Sequence, residues 1–151
     1  MMDIKRILFP TDFSEGSTYA VPYVVDLTKH YQARLFVIHV IYDMAETTGF
    51  YVPHINIDEL YGDLERNARK ELEKWCAEEL RGYAEMEYRI LKGTPKVEIL
   101  KFAEDNMIDL IIMGTHSRKG LDRIIFGSTA ERVVRNSTCP VLTAGASLRK
   151  K

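Results

Sequence analysis

The sequence predicts an α/β fold: a single-domain, doubly wound sheet of five parallel strands with helices on both faces. Several short apolar runs lack polar alternation, which is typical of parallel strands that are covered on both faces. Segments with helical apolar spacing lie between these runs, so strands and helices alternate along the chain. The 151 residues suffice for one core, and this order of elements favours a parallel sheet.

The first three elements are a predicted strand, a crossover helix and a second strand. The runs "IKRILFP" at 4–10 and "ARLFVIHVI" at 33–41 predict strands because they are short and nearly continuously apolar. The segment 12–32 between them has a helical stripe of apolar residues. Asp12, with a glutamate three positions later, has the spacing of a capping box at the helix start. Pro22 lies inside this helix and is expected to kink it or to shift its first turns.

The middle of the chain predicts a loop, a long helix and a less buried strand. Residues 42–56 lack a clear period, so we expect a long loop there. Residues 57–82 predict a strong helix with charged residues on one face. Its apolar stripe, which we expect to contact the core, consists of Leu60, Leu64, Ala68, Leu72, Trp75 and Leu80. Residues 84–93 alternate before turning apolar, which predicts a strand at the edge of the sheet.

The last third of the chain completes the alternation. A helix is predicted over 94–106, where a threonine cap precedes a proline at the first helical position. Strands are predicted over 109–113 and 140–144, with a helix over 128–137 between them. With right-handed crossovers and the strand order 3-2-1-4-5, the order reverses between strands 1 and 4. Ligands in such sheets bind beyond the carboxyl ends of the strands at that reversal, so we expect the site there.

The composition limits the classes of function. A formal net charge of −1 and a pI near 6.4 argue against a protein that binds nucleic acid through phosphate neutralisation. No run approaches the roughly 20 apolar residues of a membrane span, so we expect no membrane partner. The two cysteines have no CxxC or metal spacing, which favours packing roles in a reducing cytoplasm. We expect one domain over 1–145 and a basic tail over 146–151.

A candidate anion-binding loop is "GTHSRKGLDRIIFGST" at 114–129. The sequence contains neither GxxxxGK[ST] nor GxGxxG, but the small residues of this loop let backbone N–H groups approach an anion where the next helix begins. His116 and Arg118 either contact phosphate or are simply exposed to solvent. Asp12, just beyond strand 1, either accepts hydroxyl protons from a ribose or caps its helix, and one residue can do both. His39, within an apolar strand, is expected to be a hydrogen-bonded core residue.

Four stretches of the chain identify a family. They are "ILFPTDFSEGS" near the start, "LFVIHVI" at the second strand, "GTP" at 93–95 and "DLIIMGTHSRKGLDRIIFGSTAERVVRNSTCPVL" at 109–142. On these stretches the chain resembles the universal stress protein family over nearly its whole length, which implies a Rossmann-like fold of the adenine nucleotide alpha hydrolase-like type. Members that bind ATP carry a glycine, two residues, a glycine, nine residues, and then glycine followed by serine or threonine. This chain keeps the spacing, with serine in place of the second glycine, at Gly114, Ser117, Gly127 and Ser128.

The resemblance implies an adenine nucleotide as ligand, ATP or else ADP or AMP, with Mg²⁺ carried on its phosphates. The binding residues, from the family motifs and the loop together, are Pro10, Thr11, Asp12, Val40, Met113, Gly114, His116, Ser117, Arg118, Gly127, Ser128 and Thr129. No residue receives a catalytic or metal-ligating role. The function implied is that of a cytoplasmic stress-response protein that signals through nucleotide occupancy, at most a slow ATPase. The alternative is a dimeric interaction protein of the same fold that binds no nucleotide.

The resemblance also implies a homodimer that forms through the last strand, 139–144. The sequence agrees, because a short apolar strand at a sheet edge is a template for pairing unless something covers it.

Overall fold

The computed structural model describes residues 2–43, 56–81, 83, 85–115 and 127–145. Strands and helices alternate along these residues, as the sequence predicts. The elements are β1 (Arg6–Pro10), α1 (Glu15–Tyr31), β2 (Arg34–Tyr42), α2 (Ile57–Glu79), β3 (Met86–Gly93), α3 (Pro95–Asp105), β4 (Leu110–Gly114), α4 (Ser128–Asn136) and β5 (Val141–Ala144). The tail at 146–151 lies outside the described residues, as does most of the predicted loop at 42–56.

The five strands form one parallel sheet of order β3-β2-β1-β4-β5, which confirms the predicted order. Ile7 in β1 pairs with Leu35 in β2 on one side and with Leu110 in β4 on the other. The strand order therefore reverses between β1 and β4, and their carboxyl ends meet at the same edge. The strand β3 lies at one border of the sheet, as predicted, and β5 lies at the other.

Helices cover both faces of the sheet, and each face has its own core cluster. Ile7 and Phe9 of β1 pack with α1 and α2, whereas Leu8, between them, packs with α3 and α4. All three side chains are fully buried. The apolar run of β1 is continuous because helices cover both faces of the strand and shield them from water. Burying one such side chain is worth roughly 1.5–3 kcal/mol.

The start of α1 differs from the predicted capping box. The N-cap residue is Ser14, whose side chain accepts a hydrogen bond from the Ser17 N–H, and the helix begins at the next residue. Asp12 therefore precedes the cap. Phe13, between them, has a left-handed φ of 65°, so the chain makes a turn after β1 before the helix starts. The helix continues through Pro22, which is exposed, so water can bond the carbonyl that a proline leaves without a helical partner.

The apolar stripe of α2 contacts the core only in its second half. Leu72 and Trp75 are 0% and 8% exposed, whereas Leu60 and Leu64 are 40% and 38% exposed. The prediction that the whole stripe contacts the core is therefore wrong for these two leucines. At about 100° per residue, Leu60 and Leu64 lie about 120° and 80° around the helix from Leu72. Tyr61, only about 20° from Leu72, donates a hydrogen bond to Asp43 at 2.9 Å and lies under the Lys92 side chain of β3, so α2 meets the sheet along that direction and the two leucines lie outside it.

Both cysteines pack against apolar residues, as predicted. Cys76 is buried in the α1–α2 cluster and Cys139 is half-buried beside the α3–α4 cluster, and both thiols are free. Burial raises the pKa of the Cys76 thiol to about 12. At the start of α3, Thr94 is the N-cap and a proline follows it, as predicted, although the threonine side chain makes no capping hydrogen bond. None of the helices in the described ranges is long and apolar enough to cross a bilayer.

Candidate functional site

A cleft of about 440 Å³ opens at the carboxyl edge of the sheet, where the strand order reverses. This volume lies within the range typical of small-molecule sites. The ends of β1, β2 and β4 meet the starts of α1, α3 and α4 here. The residues that line the cleft are Pro10, Thr11, Asp12, Ser17, Ile38, His39, Val40, Tyr42, Pro95, Ile99, Met113, Gly114, Thr115, Gly127, Ser128, Thr129 and Ala130.

Most of the sequence-predicted site residues lie in this cleft. The structure brings together Pro10, Thr11, Asp12, Val40, Met113, Gly114, Gly127, Ser128 and Thr129. The other three, His116, Ser117 and Arg118, lie outside the described residues.

Sequence reasoning missed eight of the lining residues, which are Ser17, Ile38, His39, Tyr42, Pro95, Ile99, Thr115 and Ala130. Two signals were available for part of this set. Ile38 lies two positions before Val40, so both side chains point to the same face of β2. Ile99 lies about one helical turn after Pro95, at the start of α3. Neither signal indicates by itself that the two elements face one cleft.

An apolar wall forms one side of the cleft. Ile38, Ile99 and Met113 are buried, and Val40 is half-buried. All four belong to or pack against the cluster beneath α3 and α4, so the core holds this wall in place. A flat aromatic ring would find apolar contacts here.

His39 lines the cleft and is half-buried, so the prediction that it lies in the core is wrong. The predicted hydrogen bond is present, since Nδ1 lies 2.8 Å from the carbonyl oxygen of Thr11. A carbonyl oxygen only accepts, so Nδ1 carries the proton. The imidazole also stacks on the Phe13 ring at a centroid distance of 4.4 Å. These contacts connect β2 to the turn after β1.

Asp12 stands at the start of α1 with its two carboxylate oxygens in different environments. Oδ1 accepts hydrogen bonds from the Ser14 N–H at 3.0 Å, from the Ser17 hydroxyl at 2.9 Å and from the Ser14 hydroxyl. Oδ2 accepts none from the described part of the chain, and the side chain is exposed. Asp12 thus organises the entry to α1 with one oxygen and leaves the other open to a ligand.

Two glycines of the motif allow backbone segments to approach closely. A Cβ atom on Gly114 would lie 2.2 Å from the carbonyl oxygen of Gly16, so the end of β4 and the start of α1 meet without a side chain between them. A Cβ atom on Gly127 would lie 2.9 Å from the carbonyl oxygen of Thr115, to which the Gly127 N–H donates at 2.8 Å. Both glycines therefore have a packing role that needs no ligand.

The N-terminus of α4 opens into the cleft. Its N-cap is Gly127, which has no side chain to bond the first N–H groups, and Ser128 and Thr129 line the cleft beside it. Uncapped N–H groups and the helix dipole together favour an anion. The N-terminus of α1 differs, because the Ser14 side chain and the Asp12 carboxylate already occupy it.

The described segments contain no cluster of side chains suited to binding a metal ion. No group of three or more histidine, cysteine or acidic side chains among them could hold a metal ion.

The cleft combines three features: an apolar wall, an available carboxylate oxygen and a helix N-terminus that favours an anion.

A parallel sheet of order 3-2-1-4-5 with a cleft at its reversal point defines a small Rossmann-like α/β protein. The sequence model of the universal stress protein family matches residues 3–144, and the chain belongs to that family. The resemblance seen in the sequence is confirmed.

Three comparisons place the chain among known proteins. Universal stress protein MJ0531 of Methanocaldococcus jannaschii is 37% identical over 140 residues, which cover 91% of this chain and 80% of that protein. The solved structure of MJ0577 from the same organism has a TM-score of 0.81 and 31% identity, covering 98% of this chain and 100% of that one. The structure of the universal stress protein from Archaeoglobus fulgidus in complex with dAMP has a TM-score of 0.62 and 19% identity, covering 95% and 99%. The predicted fold is confirmed by these structures.

Proposed function

We propose that this universal stress protein binds an adenine nucleotide, ATP in the first place, in the cleft between β1 and β4. Nucleotide occupancy would then alter the surface that a partner protein contacts. The observation that carries the proposal is the convergence of three different chemistries in one cleft of about 440 Å³. An adenine base needs an apolar wall, a ribose needs an acceptor for its hydroxyls, and phosphates need donors.

The base and the ribose have matching surfaces in the cleft. Ile38, Val40 and Ile99 provide apolar area against which a purine ring can pack. The open Oδ2 atom of Asp12 is an acceptor, and carboxylate oxygens make short, strong hydrogen bonds to hydroxyl groups. A ribose that donates its 2′ and 3′ hydroxyls to this oxygen would fix the nucleoside end of the ligand.

The phosphates match the N-terminus of α4. The hydroxyls of Ser128 and Thr129 and the uncapped N–H groups of the first turn are donors for phosphate oxygens. We also assign Ser117, from the family motif, and His116 and Arg118, from their place in the same loop, to the phosphate end of the site. Mg²⁺ would arrive on the phosphates rather than on protein ligands. The dAMP complex of the Archaeoglobus fulgidus protein supports an adenine ligand. We expect slow hydrolysis or none, since no sequence motif identifies a water-activating residue.

Calorimetric titration with ATP and Mg²⁺ tests nucleotide binding, and the Asp12→Asn variant tests the role of the Asp12 carboxylate in it. Asparagine retains Oδ1 as acceptor for Ser14 and Ser17 but replaces Oδ2 with an NH₂ donor. We expect ATP to bind about tenfold more weakly, the cost of losing a hydrogen bond to a charged group. Asp26→Asn removes the same charge from an exposed position on α1 and should bind ATP like the wild type. Absence of saturable heat at millimolar ATP would refute nucleotide binding.

We also propose a cytoplasmic homodimer that forms through β5. Within the described part of the chain, this strand pairs with β4 and with no other strand, and its first three residues are half-exposed. The carbonyl of Pro140 accepts from Ile111 in β4, and that of Ala144 accepts from Thr115 just after β4. The N–H of Thr143, one position out of phase, therefore points away from β4. Thr143→Pro should therefore disrupt the dimer without disrupting the sheet. A folded Thr143→Pro variant that still sediments as a dimer would contradict dimerisation through β5.

A further inference from the structure

We infer that Ser17 is a positioning residue for ligand binding, which holds the Asp12 carboxylate so that Oδ2 stays available to a ribose. The inference rests on the proposed nucleotide site and gives a role to Ser17, which ends the stretch "ILFPTDFSEGS" but is not among the sequence-predicted binding residues. Ser17 lies in the first turn of α1 and is only 5% exposed.

The Ser17 hydroxyl bonds to both the side chain and the backbone of Asp12. It donates to Oδ1 at 2.9 Å and accepts from the Asp12 N–H at 3.3 Å. A buried hydroxyl needs such partners, and here both belong to a single residue. The serine therefore fixes the carboxylate relative to its own backbone as well as to the helix.

Asp12 needs this restraint because its side chain is exposed. An exposed aspartate ordinarily samples several rotamers, and a ligand would have to select one of them at an entropic cost. The other two donors to Oδ1 both come from Ser14, which lies in the turn before the helix. Ser17 is the buried donor of the set, so its contact is shielded from competing water.

The restraint is also anchored to the sheet. Gly16, next to Ser17, is buried and lies against Gly114 at the end of β4. The position of Ser17 is therefore set by the close packing of α1 on β4. Folding establishes the orientation of Asp12 before a ligand arrives, and the ligand then loses less entropy on binding.

The test compares ATP with 2′,3′-dideoxy-ATP, which lacks the hydroxyls that Asp12 would bind. Ser17→Ala should weaken ATP about three- to fivefold, less than Asp12→Asn does, because the ligand must then order one side chain itself; dideoxy-ATP should be unaffected, because only the ribose contact depends on the carboxylate. Thr18→Val is the matched control. It removes a hydroxyl from the same turn, but that hydroxyl bonds the Ser14 carbonyl rather than Asp12, so both ligands should bind as to the wild type.

A measurement without ligand separates this inference from the proposed function. The Hα–Hβ couplings of Asp12 in the wild type should show one χ1 rotamer, and those of Ser17→Ala should show averaging. Averaged couplings in the wild type would overturn the inference, even if the variant does not fold. Couplings that are the same in a folded Ser17→Ala variant as in the wild type would also overturn it. Equal losses for ATP and dideoxy-ATP also overturn it, while nucleotide binding itself stands. A wild type that binds neither ligand refutes the nucleotide site instead, and the couplings still decide whether Ser17 holds Asp12.

Discussion

Replacing Gly114 with alanine is expected to destabilise the protein in the absence of any ligand. The new Cβ atom would lie 2.2 Å from the carbonyl oxygen of Gly16 and 2.6 Å from its carbonyl carbon. Carbon and oxygen atoms in close contact stay about 3.3 Å apart, so the start of α1 and the end of β4 must separate by about 1 Å. Both contacting atoms are backbone, and no side-chain rotation relieves the clash.

The cost follows from this overpacking. Adding one methyl group to a tightly packed site costs about 1–3 kcal/mol, and a clash with backbone lies at the upper end of that range. A loss of about 3 kcal/mol lowers the melting temperature of a protein of this size by roughly 6–12 °C. The displaced helix start carries Ser17, which bonds the Asp12 carboxylate, so the affinity for ATP should fall together with the stability.

Urea denaturation of the ligand-free protein measures the effect, and Gly62→Ala is the matched control. Gly62 lies within α2, where an added Cβ would meet only the Arg66 side chain at 3.6 Å, an ordinary contact. Alanine in place of glycine inside a helix stabilises by about 1 kcal/mol. The same chemical change should therefore have opposite signs at the two positions. A Gly114→Ala variant whose free energy of unfolding lies within about 0.5 kcal/mol of the wild type would refute the close approach.

Three further predictions concern the core and the thiols. Leu72→Ala removes a fully buried side chain and should cost about 2–5 kcal/mol, whereas Leu64→Ala, at a side chain 38% exposed, should cost well under half as much by the same urea assay. In the folded protein at pH 8, Ellman's reagent should label Cys139 and spare Cys76, because a pKa of about 12 leaves only about one thiol in ten thousand as thiolate; equal labelling rates would be incompatible with this burial. The pKa of the Cys76 thiol is raised in the folded state, so its contribution to stability is complete below pH 9 and declines as the pH rises toward 12. Over that interval the free energy of unfolding of Cys76→Ala should therefore fall less steeply with pH than that of the wild type.

The sheet could be predicted from the sequence because its signal is local. The unalternating run at Ile7, Leu8 and Phe9 indicates burial on both faces, and both core clusters confirm it. The extent of α2 that meets the core could not be predicted in this way. Leu60 and Leu72 both fit an apolar stripe but lie about 120° apart around the helix, and only the packing of α2 on the sheet determines which of them is covered.

The site residues that belong to sequence motifs could be predicted, whereas those brought to the cleft by tertiary packing could not. Asp12 and Ser14 both suit a helix cap, and the choice depends on the turn that the chain makes after β1. The sequence assigns no binding role to Ile99 or Ser17, since each reaches the cleft through the packing of its helix on the sheet. Local patterns therefore locate the cleft, and tertiary packing completes its walls.

The contact between Gly114 and Gly16 also changes how the glycine motif should be read across relatives. Selection for folding alone is sufficient to keep a glycine at the end of β4, because any side chain there would separate a helix from the sheet. A descendant that no longer used a nucleotide would retain this glycine while other motif positions drifted. This chain has glycine at position 114, where the packing requires it, and serine at 117. Shared ancestry of a ligand site is therefore better judged at Asp12 and Ser17 than at the first motif glycine.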